Sequence, residues 1–404
     1  MGLDSREDLK ACAEEHERAQ ELRDLLARMT RDHQGKRIGE RYVLGACIGA
    51  GGMGLVFLGE QPELGRPVVL KLLREGVVSD ERNRQRFERE AVSLARLHHP
   101  NIVRLYDFGH HRQRAYIVME YVDGETLSAC MKRRGRLDYD FVVHVAVQLL
   151  GALAHAHDQN IAHRDIKPSN VMLCTGPDGG DVVKVLDFGL AKLMDDEEEL
   201  AQDELIGSTR YLAPERITGG CGDERSDVYD LGVMLYEMIS GQLPFGADSD
   251  LELLAKHVHE EPRPLSLRLP LGHEYPDEVL KLVHSFLAKD PAARPDDAAQ
   301  ALERFIEHAI NRKAPSSAPW HTTTRSTLRV REAVAQERGP MAPRMLDAPI
   351  AHGSHTDEYL ALRPQTCPRE HMSPGMMLSS RLMRPKLLGI ALVAIALAAL
   401  MWKV

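Results

Sequence analysis

One stretch near the start of the chain, Ile48-Gly49-Ala50-Gly51-Gly52-Met53-Gly54-Leu55-Val56, constrains the fold more than any other. It reads G-x-G-x-x-G-x-V. Glycine has no Cβ, so a backbone rich in it can approach phosphate oxygens closely. A dinucleotide-binding turn of this pattern would open directly into a helix. Here Leu55-Val56-Phe57-Leu58 follows, which reads as a strand. The stretch therefore predicts a glycine-rich β-hairpin lying over a nucleotide. A flexible hairpin without a ligand is the plain alternative.

The chain has 404 residues, enough for one large domain or two ordinary ones plus tails. A net charge of −9 gives no basic field, so no nucleic-acid partner is expected. Six scattered cysteines without a C-x-x-C pair read as reduced thiols, not a disulfide framework or a zinc site. No basic region followed by an apolar run marks a signal peptide, and Arg6 spoils the Met1-Gly2 myristoylation start.

Composition divides the chain into zones. Residues 1–36 are charged and helix-prone, with an N-cap signal at Ser5-Arg6-Glu7-Asp8. Leu22, Leu25, Leu26 and Met29 fall on one helical face, which either packs on its own domain or docks a partner. Residues 37–310 are strand-like first (Arg41-Tyr42-Val43-Leu44, Pro67 to Leu72) and helical later (Asp140 to Ala156, Val228 to Ser240). That order predicts an α+β architecture with two lobes. Residues 311–385 lose apolar periodicity and read as a disordered linker.

The last zone, residues 386–404, reads as an apolar helix. Leu387 to Trp402 carries no charge, yet its 16 residues would span only ~24 Å against a hydrocarbon core of ~30 Å. Arg381, Arg384 and Lys386 before it and Trp402 at its end favour a single membrane span with the bulk of the chain cytoplasmic. The alternative is an apolar tail docked on protein, in a cytoplasmic chain.

Lys71 ends the apolar run Val68-Val69-Leu70. A buried lysine is costly unless its charge is met. Phosphate oxygens would meet it, and so would a carboxylate from a neighbouring helix; Glu90 in Arg86-Phe87-Glu88-Arg89-Glu90 is such a group. The plain alternative is a lysine reaching solvent from a strand end.

Further on come His163-Arg164-Asp165-Ile166-Lys167-Pro168-Ser169-Asn170, then Asp187-Phe188-Gly189, then Ala213-Pro214-Glu215. With these three in order, the stretch from about Tyr42 to Ile310 resembles the protein kinase family. Gly52-Met53-Gly54 and Arg86 to Glu90 resemble its bacterial, Hanks-type (eukaryotic-like) branch. The resemblance implies the two-lobed protein-kinase fold, with a β-rich N-lobe and a helical C-lobe. It implies ATP and Mg²⁺ as cofactors, and proteins with Ser or Thr acceptors as substrates. A homodimer is a further expectation from similar kinases.

The same resemblance assigns roles. Asp165 is the catalytic base and Lys167 neutralises the transferring phosphoryl group. Asn170 and Asp187 hold Mg²⁺. Lys71 grips the α- and β-phosphates and Glu90 holds Lys71. Residues 48–56 form the phosphate lid. Met119 is the gatekeeper, Glu120 and Val122 offer hinge backbone groups to adenine, and Val56, Val69 and Met172 sandwich the ring. Val69 departs from the alanine usual there, and its extra methyls predict reshaped ATP affinity. Lys167 points to Ser/Thr specificity, and Gly207-Ser208-Thr209-Arg210-Tyr211 resembles the segment that receives the substrate chain. Glu215 is expected to pair with Arg294, and Asp227 to brace the catalytic loop.

Two departures stand out. Between Leu190 and Gly207 there is no Ser, Thr or Tyr, but Asp195, Asp196, Glu197, Glu198, Glu199, Asp203 and Glu204 are present. Either these carboxylates replace an activating phosphate facing Arg164, or they are a solvated acidic stretch. The chain also ends two residues past the apolar run, which leaves no room for an extracellular sensor domain. A scaffold that keeps the fold without catalysis is the main rival. It would ordinarily lose Lys71, Asp165, Asn170 or Asp187, and all four are present.

Overall fold

An apolar run broken by a single lysine predicts a strand covered on both faces, and the structure gives that strand a central place. The computed structural model describes residues 20–51, 54–75, 81–112, 114–176, 180–188, 209–220 and 222–309. Residues 20–33 form helix α1. Strands β1 (Arg37–Ile38), β2 (Tyr42–Gly51), β3 (Gly54–Gln61) and β4 (Arg66–Leu73) follow, then helix α2 (Glu81–Ala95), β5 (Leu105–His111) and β6 (Arg114–Glu120). The strands make one sheet in the order β1-β2-β3-β4-β6-β5, with antiparallel neighbours throughout.

The period of two along β4 separates its faces. Val68, Leu70 and Leu72 join Tyr42, Leu44, Phe57 and Val118 in a core, against which Leu26 and Met29 of α1 pack. The N-terminal apolar face thus lies on its own domain, while Leu22 stays 46% exposed. Val69 and Lys71 point to the other face. There Lys71 registers with Val56 and Ile117, and Val69 with Leu58 and Met119. The hairpin predicted at the glycine-rich stretch is the β2–β3 pair, closing at Gly51 opposite Gly54. Gly54 has φ of 133°, and a Cβ there would lie 2.0 Å from the Leu72 carbonyl oxygen, so only glycine fits. Gly52 and Met53 lie outside the described residues.

The second half is helical. Strand β7 (Gly124–Thr126) leads to α3 (Leu127–Arg134) and α4 (Tyr139–Asp158). The Thr126 hydroxyl and the Asp138 carboxylate cap these helices, accepting from the amides of Ala129 and Phe141. Strands β8 (Val171–Thr175) and β9 (Asp181–Val185) complete a three-stranded sheet, β7-β8-β9. Helix α5 (Glu224–Ser240) opens with a capping box between Asp223 and Ser226 and ends at Gly241, φ 75°. It is buried almost all round. Helix α6 (Asp250–His259) meets it through His257 and Tyr229, helices α7 (Asp277–Phe286) and α8 (Ala298–Ala309) pack on it, and α8 also packs on α4.

Among the described residues, α4 is the one helix long and apolar enough to cross a membrane, and 61% of its apolar window is buried in protein. It is the core helix of the C-lobe. The linker at 311–385, the apolar segment at 386–404 and the acidic stretch from Asp195 to Glu204 lie outside the described residues, as does the N-cap at Ser5.

Candidate active site

Asn101 holds the lobes in register. Its amide Nδ2 donates to Gln148 Oε1 of α4 at 2.6 Å and to the Val183 carbonyl at 2.8 Å. Beside it, the Val185 amide donates to the Asn101 carbonyl and the Val103 amide to the Val185 carbonyl. These bonds tie the segment after α2 to β9, and β9 runs into Asp187.

Lys71 is 5% exposed, and its Nζ lies 3.0 Å from Asp187 Oδ2. A sheet residue of one lobe thereby meets a residue that follows β9 in the other. The chain separation of 116 residues hid this pair from sequence reasoning. Glu90 lies on α2, and Val56, Val69, Met119, Val122 and Met172 are each half-buried about the cleft. Ile48 is 50% exposed at the edge of the lid, where Gly49 and Ala50 face Val56 and Leu55 of β3. Behind Met119, a cavity of about 30 Å³ is walled by Leu94, Ile102, Leu105 and Phe188. A separate cavity of about 340 Å³ lies between α3, α4 and the β7-β8-β9 sheet and contains none of these residues.

Asp165 sits in the loop between α4 and β8. Its Oδ2 accepts from Lys167 Nζ at 2.8 Å and from Asn170 Nδ2 at 2.9 Å. Asn170 Nδ2 also donates to the Asp165 carbonyl, so the amide oxygen of Asn170 faces away from Asp165. That oxygen and the Asp187 carboxylate are both hard donors of the kind that Mg²⁺ takes. Among the described residues no group of three or more His, Cys, Asp or Glu could hold a metal by itself. Mg²⁺ is usually held by one or two protein oxygens plus phosphates, so the residues present fit it.

The backbone beside both aspartates is strained. Arg164 has φ of 67° and Asp187 φ of 56°, in the left-handed region that costs a non-glycine residue roughly 1–2 kcal/mol. Asp227 of α5 supports the first. It is fully buried, its Oδ2 accepts from the His163 amide and its Oδ1 from the Arg164 amide, both at 2.7 Å. His157 Nε2 adds a contact at 2.9 Å. Burial alone would raise the Asp227 pKa, but the His157 hydrogen bond and the neighbouring charges and amide hold it below the ordinary carboxylate value. The expected bracing of the catalytic loop is present, and His157 is a member the sequence did not reveal.

His163 connects the two loops. Its Nδ1 accepts the Asp165 amide at 3.2 Å, so Nε2 carries the proton and donates to the Leu186 carbonyl at 2.8 Å. Its ring meets that of Phe188, centroids 4.6 Å apart. Burial lowers its pKa against the pull of Asp227 and Asp165, which keeps the ring neutral.

Glu215 and Arg294 meet as expected, side by side: Nη1 to Oε1 at 2.8 Å and Nη2 to Oε2 at 2.9 Å. The Ser226 hydroxyl adds a bond to Oε1 at 2.6 Å. Burial would raise the Glu215 pKa, but the bonds from Arg294 and Ser226 lower it. Arg216 Nη1, one residue on, donates to the Arg164 carbonyl. Sequence reasoning also missed Lys184, which pairs with Glu120. The signal was there, since Val183-Lys184-Val185 is a second lysine inside an apolar strand. Gly189 and Ser208 lie outside the described residues.

Residues 42–306 match the family described as protein kinase domain. The chain is 40% identical over 303 residues to the serine/threonine-protein kinase pkn3 of Myxococcus xanthus, covering 72% of this chain and 55% of that one. It is 38% identical over 277 residues to the serine/threonine-protein kinase PrkC of Bacillus subtilis, covering 69% and 42%. It thus spans about half the length of these curated relatives. Crystal structures of the kinase domain of Mycobacterium tuberculosis PknI superpose with a TM-score of 0.53 at 27% identity, covering 68% of this chain and 98% of that domain.

Proposed function

This chain belongs to the protein kinase family, and from that premise we propose that it transfers the γ-phosphoryl group of ATP to Ser and Thr hydroxyls of proteins, in bacterial signalling. The observation that carries the proposal is the arrangement of Lys167 and Asn170 on one oxygen of Asp165, with Lys71 beside Asp187.

Phosphoryl transfer leaves little covalent chemistry to the protein, so positioning and charge neutralisation dominate. Asp165, oriented by Asn170 and Lys167, accepts the proton of the substrate hydroxyl and aims its oxygen in line. Lys167 neutralises charge on the transferring group. Lys71 holds the α- and β-phosphates, with Glu90 as its support on α2. Residues 48–56 cover the phosphates and exclude water. The Glu120 carbonyl and Val122 amide bind the adenine edge; Val56, Val69 and Met172 flank the ring and Met119 closes its rear. Asn170 and Asp187 would hold Mg²⁺, which neutralises phosphate charge when bound.

Asp165→Asn removes the proton acceptor but keeps the shape. Its kcat should fall by roughly 10²- to 10⁴-fold with ATP binding retained. Equal phosphoryl transfer by the two proteins would sink the assignment and favour a scaffold. Residues 387–402 anchor the chain in a membrane in the same proposal, supported by their charge-free run and basic flank. Recovery of the full chain in the soluble fraction after cell breakage would point to a cytoplasmic protein instead.

A further inference from the structure

Strand β2 does not run as a regular ladder into the glycine-rich hairpin. Its register against β3 shifts twice, between Leu44 and Cys47 and again between Cys47 and Gly49. Each shift sets an extra β2 residue against β3, and bulged residues leave backbone groups without ladder partners. A buried amide in that position must find another acceptor.

Helix α1 supplies it. The Cys47 amide donates to Thr30 Oγ1 at 2.9 Å. The Thr30 hydroxyl itself donates to the Leu26 carbonyl at 2.8 Å, so its orientation is set by two bonds. Beyond Cys47 the contact continues, because the thiol, in a residue 6% exposed, lies 3.4 Å from the Gly49 carbonyl oxygen. The series Leu26, Thr30, Cys47, Gly49 therefore ends on the first glycine of the lid.

The helix making this contact is itself held. Leu26 and Met29 pack on the sheet core. The His33 ring lies 5.4 Å from that of Phe57, and its Nδ1 is 3.0 Å from the Met29 carbonyl. The Gly35 amide donates to the Leu44 carbonyl and the Leu44 amide to the Lys36 carbonyl. The turn after α1 is thus tied to β2 just before its first shift. All these contacts lie in the sheet and its outer cover, and the bonds given for Asp165 and Asn170 come from other elements.

We propose that Thr30 is a positioning residue for the nucleotide lid. By satisfying the Cys47 amide it fixes where Gly49, Ala50 and Gly51 enter the turn, and the seating of α1 thereby sets ATP affinity. This rests on the reading of residues 48–56 as a lid over ATP. Thr30→Val keeps the shape and packing of the side chain but removes the acceptor. Thr30→Ser keeps the hydroxyl.

The full chain and these variants are to be compared in two ways. The first is steady-state kinetics with varied ATP. The second is amide hydrogen exchange over residues 46–51 and over α5. The KM for ATP of Thr30→Val should rise roughly three- to tenfold, the cost of one lost hydrogen bond. Its kcat should stay within about twofold, as expected where binding and not the transition state is affected. Exchange over residues 46–51 should quicken while α5 is unchanged, and Thr30→Ser should match the parent on every readout.

The proposal is overturned if Thr30→Val leaves both KM and lid exchange unchanged. It is equally overturned if Ser and Val are impaired alike with faster exchange through the whole sheet, the mark of a purely structural helix. Should Thr30→Val fail to fold, Thr30→Ala, which leaves space for a water, is judged by the same criteria. A parent protein without phosphoryl transfer would defeat the kinase reading, while the exchange comparison would still decide whether Thr30 controls the glycine hairpin.

Discussion

Lys184 Nζ meets both carboxylate oxygens of Glu120, at 2.9 and 3.0 Å, and ties the strand leading to Asp187 to the end of β6. The two side chains are only 15% and 22% exposed, and Glu120 Oε2 also accepts from the Arg104 amide at 3.2 Å. The pair spans the point where the segment proposed to bind adenine begins. Lys184→Met should destabilise the protein by about 1–3 kcal/mol, because it strands a half-buried carboxylate. It should also raise the KM for ATP more than it lowers kcat. Glu120→Lys combined with Lys184→Glu should recover part of both effects. No recovery in the exchanged pair would mean the charges act separately.

Asp227 and Asp230 are both fully buried on α5, three positions apart, yet burial has opposite outcomes for them. Asp227 accepts hydrogen bonds from two amides and His157 and stays ionised. Asp230 has Arg216 at 3.6 Å and no hydrogen-bond partner for Oδ1, and burial pushes its pKa well above the ordinary value. Burial already disfavours the Asp230 charge, so Asp230→Asn should change stability by less than about 1 kcal/mol. Asp227→Asn puts an amide among donors and should cost about 2–4 kcal/mol with a large loss of kcat. Denaturant midpoints and initial rates check both. Equal destabilisation by the two variants would show that Asp230 is ionised.

Val69 stands opposite Met119 and Leu58 on the cleft face of the sheet. In the proposed ATP pose, its two extra methyls narrow the space beside the adenine. Val69→Ala should lower the dissociation constant for ATP by roughly two- to tenfold, by relieving overpacking. Calorimetric titration of both proteins measures it. Unchanged or weaker binding would show that the ring does not press on this side chain.

His257 is buried on α6 between Phe245, Tyr229 and Lys289, with Nδ1 2.9 Å from the Tyr229 hydroxyl. Burial, aided by the Lys289 charge, lowers its pKa to about 4. The folded protein therefore resists protonation where the unfolded chain accepts it. Stability from this group is complete above the unfolded value near ~6.5 and declines as pH falls below it, by roughly 2 kcal/mol at pH ~5. His163, also lowered by burial, acts in the same direction. His257→Gln should flatten the loss of stability between pH ~7.5 and ~5 in urea titrations. An unaltered slope would assign the acid sensitivity to other groups.

The sequence by itself determined much of this protein. The lone lysine in an apolar strand, the glycine stretch followed by a strand, and the ordered segments around Asp165, Asp187 and Glu215 are local patterns, and each was recoverable without coordinates. They were enough for an α+β fold with two lobes, and they named the candidate residues of the site. The α1 helix was also visible as a face of Leu22, Leu25, Leu26 and Met29, but periodicity says only that an apolar face exists. It does not say what covers that face.

Tertiary structure decided the pairings. Lys71 with Asp187, Glu120 with Lys184, His157 with Asp227 and Thr30 with the Cys47 amide join residues far apart in the chain. Several of these contacts depend on backbone geometry that no short window encodes: a double bulge in β2, left-handed φ values at Arg164 and Asp187, and the burial of α5 almost all round. Residue type sets what a group can do. Whether hydrogen bonds outweigh burial, as at Asp227, or burial prevails, as at Asp230, is settled only by which donors the fold brings within hydrogen-bonding distance.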